Sequence, residues 1–307
     1  MKTPNFYIVG APKCGTTSLY EWLRQHPDVF MPEKKEPKWF CHDLREASKE
    51  NGSEHLFSVW NEEGYRNLFA DTQDEKAVGE TSTYYLYSQT APKANKAFSP
   101  EAKIIIMLRD PVEQIISLYN FSVQKGHETA GSLQDALERE DRRKENPPAG
   151  KMPKSYLYSE KAQFSKYIKH WQKYFDDSQI KIILLDDLKD NPGEIYQDTL
   201  AFLGVEKTDF TPEFSQENTG GSPRFQWLNQ AIKHPSSPIR KVAELTPKSV
   251  AKRIRDTLNA VLLTKNKQGV SESTRKKLKQ AFQPEVGKLD KLLDRDLQAL
   301  WSYPNNQ

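Results

Sequence analysis

Three short apolar runs separated by helical patterns predict an α/β fold with a central parallel sheet flanked by helices on both faces. Phe6 to Val9, Lys103 to Leu108 and Ile180 to Leu185 are continuous rather than alternating, as expected of strands covered on both sides. The turn after the first run supplies the other observation: FYIVG passes into APKCGTTSL, a Gly/Pro/Lys loop that opens directly into a helix, the arrangement that holds a phosphate on backbone amides. The predicted class is therefore a P-loop-like three-layer fold, followed by a C-terminal helical extension.

The elements follow in order along the chain. Thr16 to Gln25 continues as a helix with Leu19, Trp22 and Leu23 on one side, stopped at His26-Pro27. Residues 33 to 76 are polar and irregular with scattered aromatics, and predict loops and short helices bordering a substrate cleft. Ala77 to Gly79 leads into GETSTYYL. After the Lys103–Leu108 run, Arg109-Asp110-Pro111 places a proline where it can open a helix, which runs from about Val112 to Lys125 with Ile115, Ile116, Leu118, Tyr119 and Phe121 inward. The charged, Pro- and Gly-bearing stretch from Ser132 to Lys154 predicts a mobile excursion, a candidate lid over the acceptor site. A helix from about Glu160 to Phe175, the third strand and a helix from Pro192 to Leu203 follow. Beyond Gly204 the pattern loosens into a turn-forming segment, NTGGSPRFQ, a basic amphipathic stretch over 239 to 265, and closing helices from Ser273 to Leu300.

Bulk properties bound the function. A chain of 307 residues can be two average domains, yet α/β folds of this size are often one, and the expectation is a single domain over 1–307 with its core at about 5–204 and a helical part at about 225–303. With 45 basic against 42 acidic side chains the net charge is +3, which excludes the polycation that grips nucleic acid nonspecifically. Cys14 and Cys41 have neither CxxC nor metal spacing and point to a reducing compartment. MKTPNFYIVG enters the first strand with no room for a signal sequence, and no window approaches the ~18 apolar residues of a membrane span; the expected location is cytoplasmic.

One residue of the loop is out of place for a triphosphate. In GxxxxGK[ST] the lysine follows the second glycine and reaches the outer phosphates; here Gly10 and Gly15 keep the spacing, but Thr16 and Thr17 follow and Lys13 lies inside the loop. Such a loop wraps a 5′-phosphate and suits a nucleotide whose reacting group sits directly on it. The segments APKCGTTSL, HPDVFMPEKKEPKWF and IIIMLRDPVEQIISLYNF, in that order, resemble the 5′- and 3′-phosphate-binding segments of sulfotransferases that use 3′-phosphoadenosine 5′-phosphosulfate (PAPS), in particular the heparan-sulfate-type branch and its bacterial relatives. The resemblance runs from about Asn5 to Gly204 and more faintly to the C-terminus.

Sulfuryl transfer needs in-line partners and stabilisation of charge developing on the leaving oxygen. Lys13 is placed to supply that cation, and the amides of Cys14, Gly15, Thr16 and Thr17, with the hydroxyls of Thr16, Thr17 and the neighbouring Ser18, would hold the phosphate at a helix N-terminus. Arg109, ending the central strand, can clasp a 3′-phosphate with parallel hydrogen bonds, and Ser117 matches the family's second 3′-phosphate ligand; the alternatives are that Arg109 pairs with a carboxylate and that Ser117 is only small. Glu36 matches the position of the catalytic glutamate of the heparan-type branch, with His42 and His127 as rival bases. Glu80, His42 and Tyr158 are candidate acceptor contacts, Tyr158 equally a packing residue, and Arg224 resembles the basic contact that closes over the nucleotide. The resemblance implies PAPS as co-substrate, adenosine 3′,5′-bisphosphate as product and no metal. In the heparan-type pattern a lysine follows the glutamate of GETSTYY, whereas Thr81 stands here, which puts acidic polysaccharide specificity in doubt. The acceptor is a small-molecule, glycan or lipid hydroxyl, less readily an amine, and neither it nor the oligomeric state is encoded in a readable motif. Two rivals are a P-loop kinase, with Asp186 ending a strand as a magnesium ligand would, and a non-enzymatic nucleotide-binding or interaction module using Lys241 to Lys267.

Overall fold

The computed structural model describes residues 3–206, 210–214, 222–223, 263–264 and 270–304. Five parallel strands, β1 (Phe6–Gly10), β2 (Val29–Phe30), β3 (Ala77–Thr81), β4 (Lys103–Leu108) and β5 (Ile180–Leu184), form one sheet in the order β2-β3-β1-β4-β5. The three apolar runs are β1, β4 and β5. β3 and the two-residue β2 complete the sheet on the other side of β1, where Phe6 stands opposite Gly79. A Cβ at Gly79 would lie 2.4 Å from the Phe6 ring, so this close approach requires glycine. From β1 the chain passes to β2 and β3 on one side and then to β4 on the other. That reversal opens a crevice beyond the carboxyl ends of β1 and β4, where doubly wound sheets bind ligands.

Helices cover the sheet: α1 (Thr16–Arg24), α2 (His42–Glu50), α3 (Glu62–Arg66), α4 (Ala91–Phe98), α5 (Pro111–Gln124), α6 (Leu133–Glu138), α7 (Glu140–Glu145), α8 (Tyr158–Lys161), α9 (Phe164–Gln172), α10 (Leu185–Asp190), α11 (Pro192–Phe202), α12 (Glu272–Leu293) and α13 (Leu297–Leu300). α5 starts as expected, with Pro111 in its first turn and the Asp110 carboxylate accepting from Val112 N–H at 2.8 Å. α12 packs on α5 and α9 and buries Leu278, Phe282, Val286 and Leu289. Ser222–Pro223 and Leu263–Thr264 pair antiparallel. Arg224 and most of the basic stretch, including Lys241 and Lys267, lie outside the described residues.

Four expectations are corrected. Phe121 does not point inward with Ile115, Ile116, Leu118 and Tyr119: it is 39% exposed, because Glu113, Ser117, Phe121 and Gln124 form one i, i+4 stripe that faces the crevice. The excursion at 132–154 holds α6 and α7, pinned by a Glu128–Arg143 ion pair at 2.7 Å and by Ser159 N–H donating to Glu140 at 2.9 Å. The helix expected over 160–175 is broken at Ala162–Gln163, where Glu285 of α12 accepts from Ser165 N–H at 2.7 Å and from its hydroxyl at 2.8 Å, capping the start of α9. Asp186 belongs to the first turn of α10, which starts as soon as β5 ends.

Candidate active site

The loop between β1 and α1 is held from below. Ala11 N–H donates to Met107 carbonyl at 2.8 Å, and Gln114 Nε2 donates to Pro12 carbonyl at 3.2 Å. Gly15 caps α1 in the left-handed region at φ 90°, and a Cβ there would come within 2.9 Å of the Leu185 and Leu188 side chains, so backbone and space both favour glycine at this turn. Leu19 N–H donates to Gly15 carbonyl at 3.2 Å, which leaves the N–H groups of Thr16, Thr17 and Ser18 without an intrahelical acceptor at the positive end of the helix dipole. Cys14 departs from expectation: its N–H donates to Ala11 carbonyl at 3.3 Å and its side chain is fully buried, so the anion-facing amides begin after it. Lys35, not singled out from sequence, donates to Thr17 Oγ1 at 3.2 Å and brings a further cation to this turn.

Lys13 adopts φ 69°, uncommon for a residue with a side chain, and its Nζ lies 4.9 Å from the centre of the Phe121 ring. Burial first, and then the neighbouring Arg109 charge, hold its pKa below the ordinary lysine value. Arg109 Nη1 donates to Lys13 carbonyl at 3.2 Å, joining the loop to the end of β4; Nη2 is 3.7 Å from Glu113, and Nε is buried without a partner among the described residues. An under-satisfied guanidinium, the unpartnered amides of α1 and the Ser117 face of α5 border one cavity of about 1120 Å³. This donor set fits a nucleotide carrying two separate phosphates.

The other end of the cavity is built from loops. Glu36 is also left-handed, at φ 55°, and its carboxylate accepts from Thr83 N–H at 3.1 Å and Thr83 Oγ1 at 2.9 Å. Burial raises its pKa, opposed by Lys38 and by these two bonds. Lys38, at φ 54°, is the third left-handed non-glycine residue on the wall; strained backbone of this kind concentrates at functional sites. Lys161 was missed. Its side chain is buried over the rings of Tyr84 and Tyr87, at 4.8 and 5.5 Å, and has no ion pair among the described residues. Among the described residues Nζ reaches only Tyr84 Oη and Ser155 carbonyl, both at 3.5 Å, and burial lowers its pKa to about 7. No short window signalled this, because Lys161 closes α8 while Phe164 and Ile168 belong to α9, and its burial comes from Tyr84 and Tyr87 far away in the chain.

Several candidates do not reach the cavity. Glu80 is 1% exposed beneath it, where Oε1 accepts from Tyr85 at 2.6 Å and Tyr65 at 3.2 Å while Oε2 has no partner among the described residues; burial pushes its pKa up to about 7. Thr81 is also buried, its hydroxyl 3.4 Å from Ile8 carbonyl. His42 opens α2 against Trp39, away from the cavity. Tyr158 is fully buried and donates to Glu128 at 2.7 Å; its neighbour Tyr156 lines the cavity instead, as does His127. Asp186 accepts from Trp301 Nε1 at 2.9 Å, which accounts for the carboxylate that suggested a kinase.

Comparison with known proteins agrees with this geometry. The family described as "Sulfotransferase domain" matches residues 3–241. Human carbohydrate sulfotransferase 15 is 26% identical over 246 residues, covering 66% of this chain and 44% of its own length. Human heparan sulfate glucosamine 3-O-sulfotransferase 3B1 is 28% identical over 220 residues, covering 72% and 51%. The chain thus spans about half the length of the curated relatives it matches. A crystal structure of a sulfotransferase from Alicyclobacillus acidocaldarius superimposes with a TM-score of 0.73 at 28% identity, covering 97% of this chain and 99% of that one. With the family match spanning both walls of the cavity, from the loop of Lys13 through Glu36 to Arg109 and Ser117, the chain belongs to the sulfotransferase domain family.

Proposed function

We propose that the protein transfers a sulfuryl group from PAPS to an acceptor hydroxyl in one in-line displacement. The observation that carries this reading is the single cavity that joins a P-loop-like turn lacking the triphosphate lysine, an arginine with an unsatisfied Nε, and a partly buried carboxylate of raised pKa. The α1 amides and the hydroxyls of Thr16, Thr17 and Ser18 would bind the 5′-phosphate, Arg109 and Ser117 the 3′-phosphate. Trp22, Leu188, Pro192 and Phe214 form an apolar wall suited to the purine. Glu36 takes the acceptor proton as the acceptor oxygen bonds to sulfur. The S–O bond to the 5′-phosphate breaks, its electron pair stays on the phosphate oxygen, and Lys13 stabilises the charge there. The co-substrate supplies the sulfuryl group and leaves as adenosine 3′,5′-bisphosphate.

The relatives are named for a carbohydrate and for glucosamine of heparan sulfate, which makes a sugar hydroxyl the first acceptor class to test. Lys38 and Lys151 supply cations on that side of the cavity, beside the Lys161 amine whose pKa burial lowers to about 7. Incubation with ³⁵S-labelled PAPS and a cell extract, followed by mass spectrometry, should give products heavier by one SO₃ together with adenosine 3′,5′-bisphosphate; nucleotide turnover without sulfated product rejects the reading. No helix among the described residues is long and apolar enough to cross a membrane, and both cysteines are buried thiols. We propose a cytoplasmic location, which fractionation of the native host would test.

A further inference from the structure

Arg109 has two carboxylates beside it, Asp110 next in sequence and Glu113 one helical turn on, and either could neutralise the guanidinium that a 3′-phosphate needs. Both also have partners from the C-terminal segment, and Glu113 stays in a long ion pair with Arg109 rather than a hydrogen bond. Arg275, in the first turns of α12, forms an ion pair with Glu113 Oε1, while Arg109 Nη2 stands 3.7 Å from Oε2. Tyr303 donates to Asp110 Oδ1 at 2.8 Å, and the same oxygen caps α5. Among the described residues Arg109 keeps one hydrogen bond, to Lys13 carbonyl at 3.2 Å, and its buried Nε has none. Arg109 and Glu113 are 16% and 29% exposed, so their interaction is only partly screened by solvent. Arg275 does not line the cavity and is held against α5 by the buried Leu278 and Phe282 of its own helix.

We infer that Arg275 is a positioning residue for the nucleotide site: it draws the Glu113 carboxylate away from Arg109 and leaves that guanidinium available to the 3′-phosphate. The inference rests on the assignment of Arg109 in the proposed function. It makes the C-terminal helix, some 160 residues distant in sequence, part of PAPS recognition. Without Arg275, Glu113 is released to close on Arg109 as a paired carboxylate, and its charge opposes the incoming phosphate.

Calorimetry of the full chain with adenosine 3′,5′-bisphosphate and with 5′-AMP tests this, because only the first ligand carries the 3′-phosphate. Arg275→Ala should weaken bisphosphate binding by about tenfold, the scale of one charge-assisted contact, and leave AMP binding within about twofold. Arg275→Lys should retain most of the affinity, and Glu113→Gln added to Arg275→Ala should recover it. Bisphosphate affinity unchanged in Arg275→Ala, equal losses for both ligands, or no recovery in the double variant would each overturn the inference. If circular dichroism shows Arg275→Ala to be unfolded, Glu113→Gln alone decides: bisphosphate binding as tight as wild type or tighter supports the inference, and weaker binding overturns it. A wild-type protein that binds bisphosphate no better than AMP overturns the Arg109 assignment itself, and the inference with it.

Discussion

The two ends of the cavity are built by different means. At the proposed nucleotide end the candidate ligating groups come from strand ends and helix starts: the β1–α1 turn, Arg109 at the end of β4, and Ser117 on α5. Their placement follows from the sheet, and the backbone itself supplies several donors. At the acceptor end Glu36, Lys38, Thr83, Tyr84, Ser155 and Lys161 come from loops and short helices far apart in sequence, held by contacts such as Thr83 to Glu36 and Tyr84 to Ser155. A scaffold that holds one end still while leaving the other to loops can keep a nucleotide constant and change its acceptor.

Substitutions at the two ends should therefore separate nucleotide binding from acceptor chemistry. The largest effect is expected at Lys13, the group nearest the leaving oxygen in the proposed mechanism: Lys13→Ala should lower kcat by about 10³-fold in a sulfuryl-transfer assay, the scale for losing a preorganised electrostatic contact. Glu36→Gln should cost about 10² in kcat, with affinity for adenosine 3′,5′-bisphosphate unchanged by calorimetry. If it weakens nucleotide binding as much as turnover, the division between the ends fails.

The pH profile sharpens the same point. Glu36 must be ionised and burial raises its pKa, so activity should climb with pH through a midpoint above the usual carboxylate range. Lys13 must be protonated and burial lowers its pKa, so activity should fall again below the ordinary lysine value. Glu36→Gln should abolish the acidic limb, while His127→Gln should leave it in place; the reverse would make the histidine the base.

A smaller effect is expected at Lys161. Lys161→Met should raise the acceptor KM by about tenfold without moving nucleotide affinity, since its amine lies beside Tyr84 and Ser155 at the proposed acceptor end. Smallest is a stability effect beneath the site. Glu80 keeps its proton in the folded state up to about pH 7 against an ordinary value of 4.5, so stability is fully present below 4.5 and declines as pH rises toward 7, where ionisation must be forced on a buried group. Glu80→Gln should flatten that decline in melting temperatures recorded from pH 5 to 8.

How far the sequence could be read tracks this division. β1, β4 and β5 were legible because strands covered on both faces are apolar throughout, and the loop of Lys13 because its glycine spacing is itself a backbone requirement. β2 was not, since two residues carry no period. Phe121 was misread because apolar character alone does not say whether a helix stripe faces a core or a crevice. The break before α9 could not be seen, because the Glu285 carboxylate that caps it lies 120 residues away. Glu80 and Tyr158 drew attention as polar groups near motifs, yet each is consumed by buried partners.

The sequence by itself determined the parallel sheet and the glycine-spaced turn that carries Lys13 into a helix start. These depend on local period and on backbone geometry, which short stretches encode. Tertiary structure alone decided which titratable groups face the cavity, that Lys161 is buried there without an ion pair among the described residues, and that Arg275 stands at Glu113. The ionisation and availability of a charged side chain depend on desolvation and on partners brought from distant parts of the chain, and no window of sequence contains them.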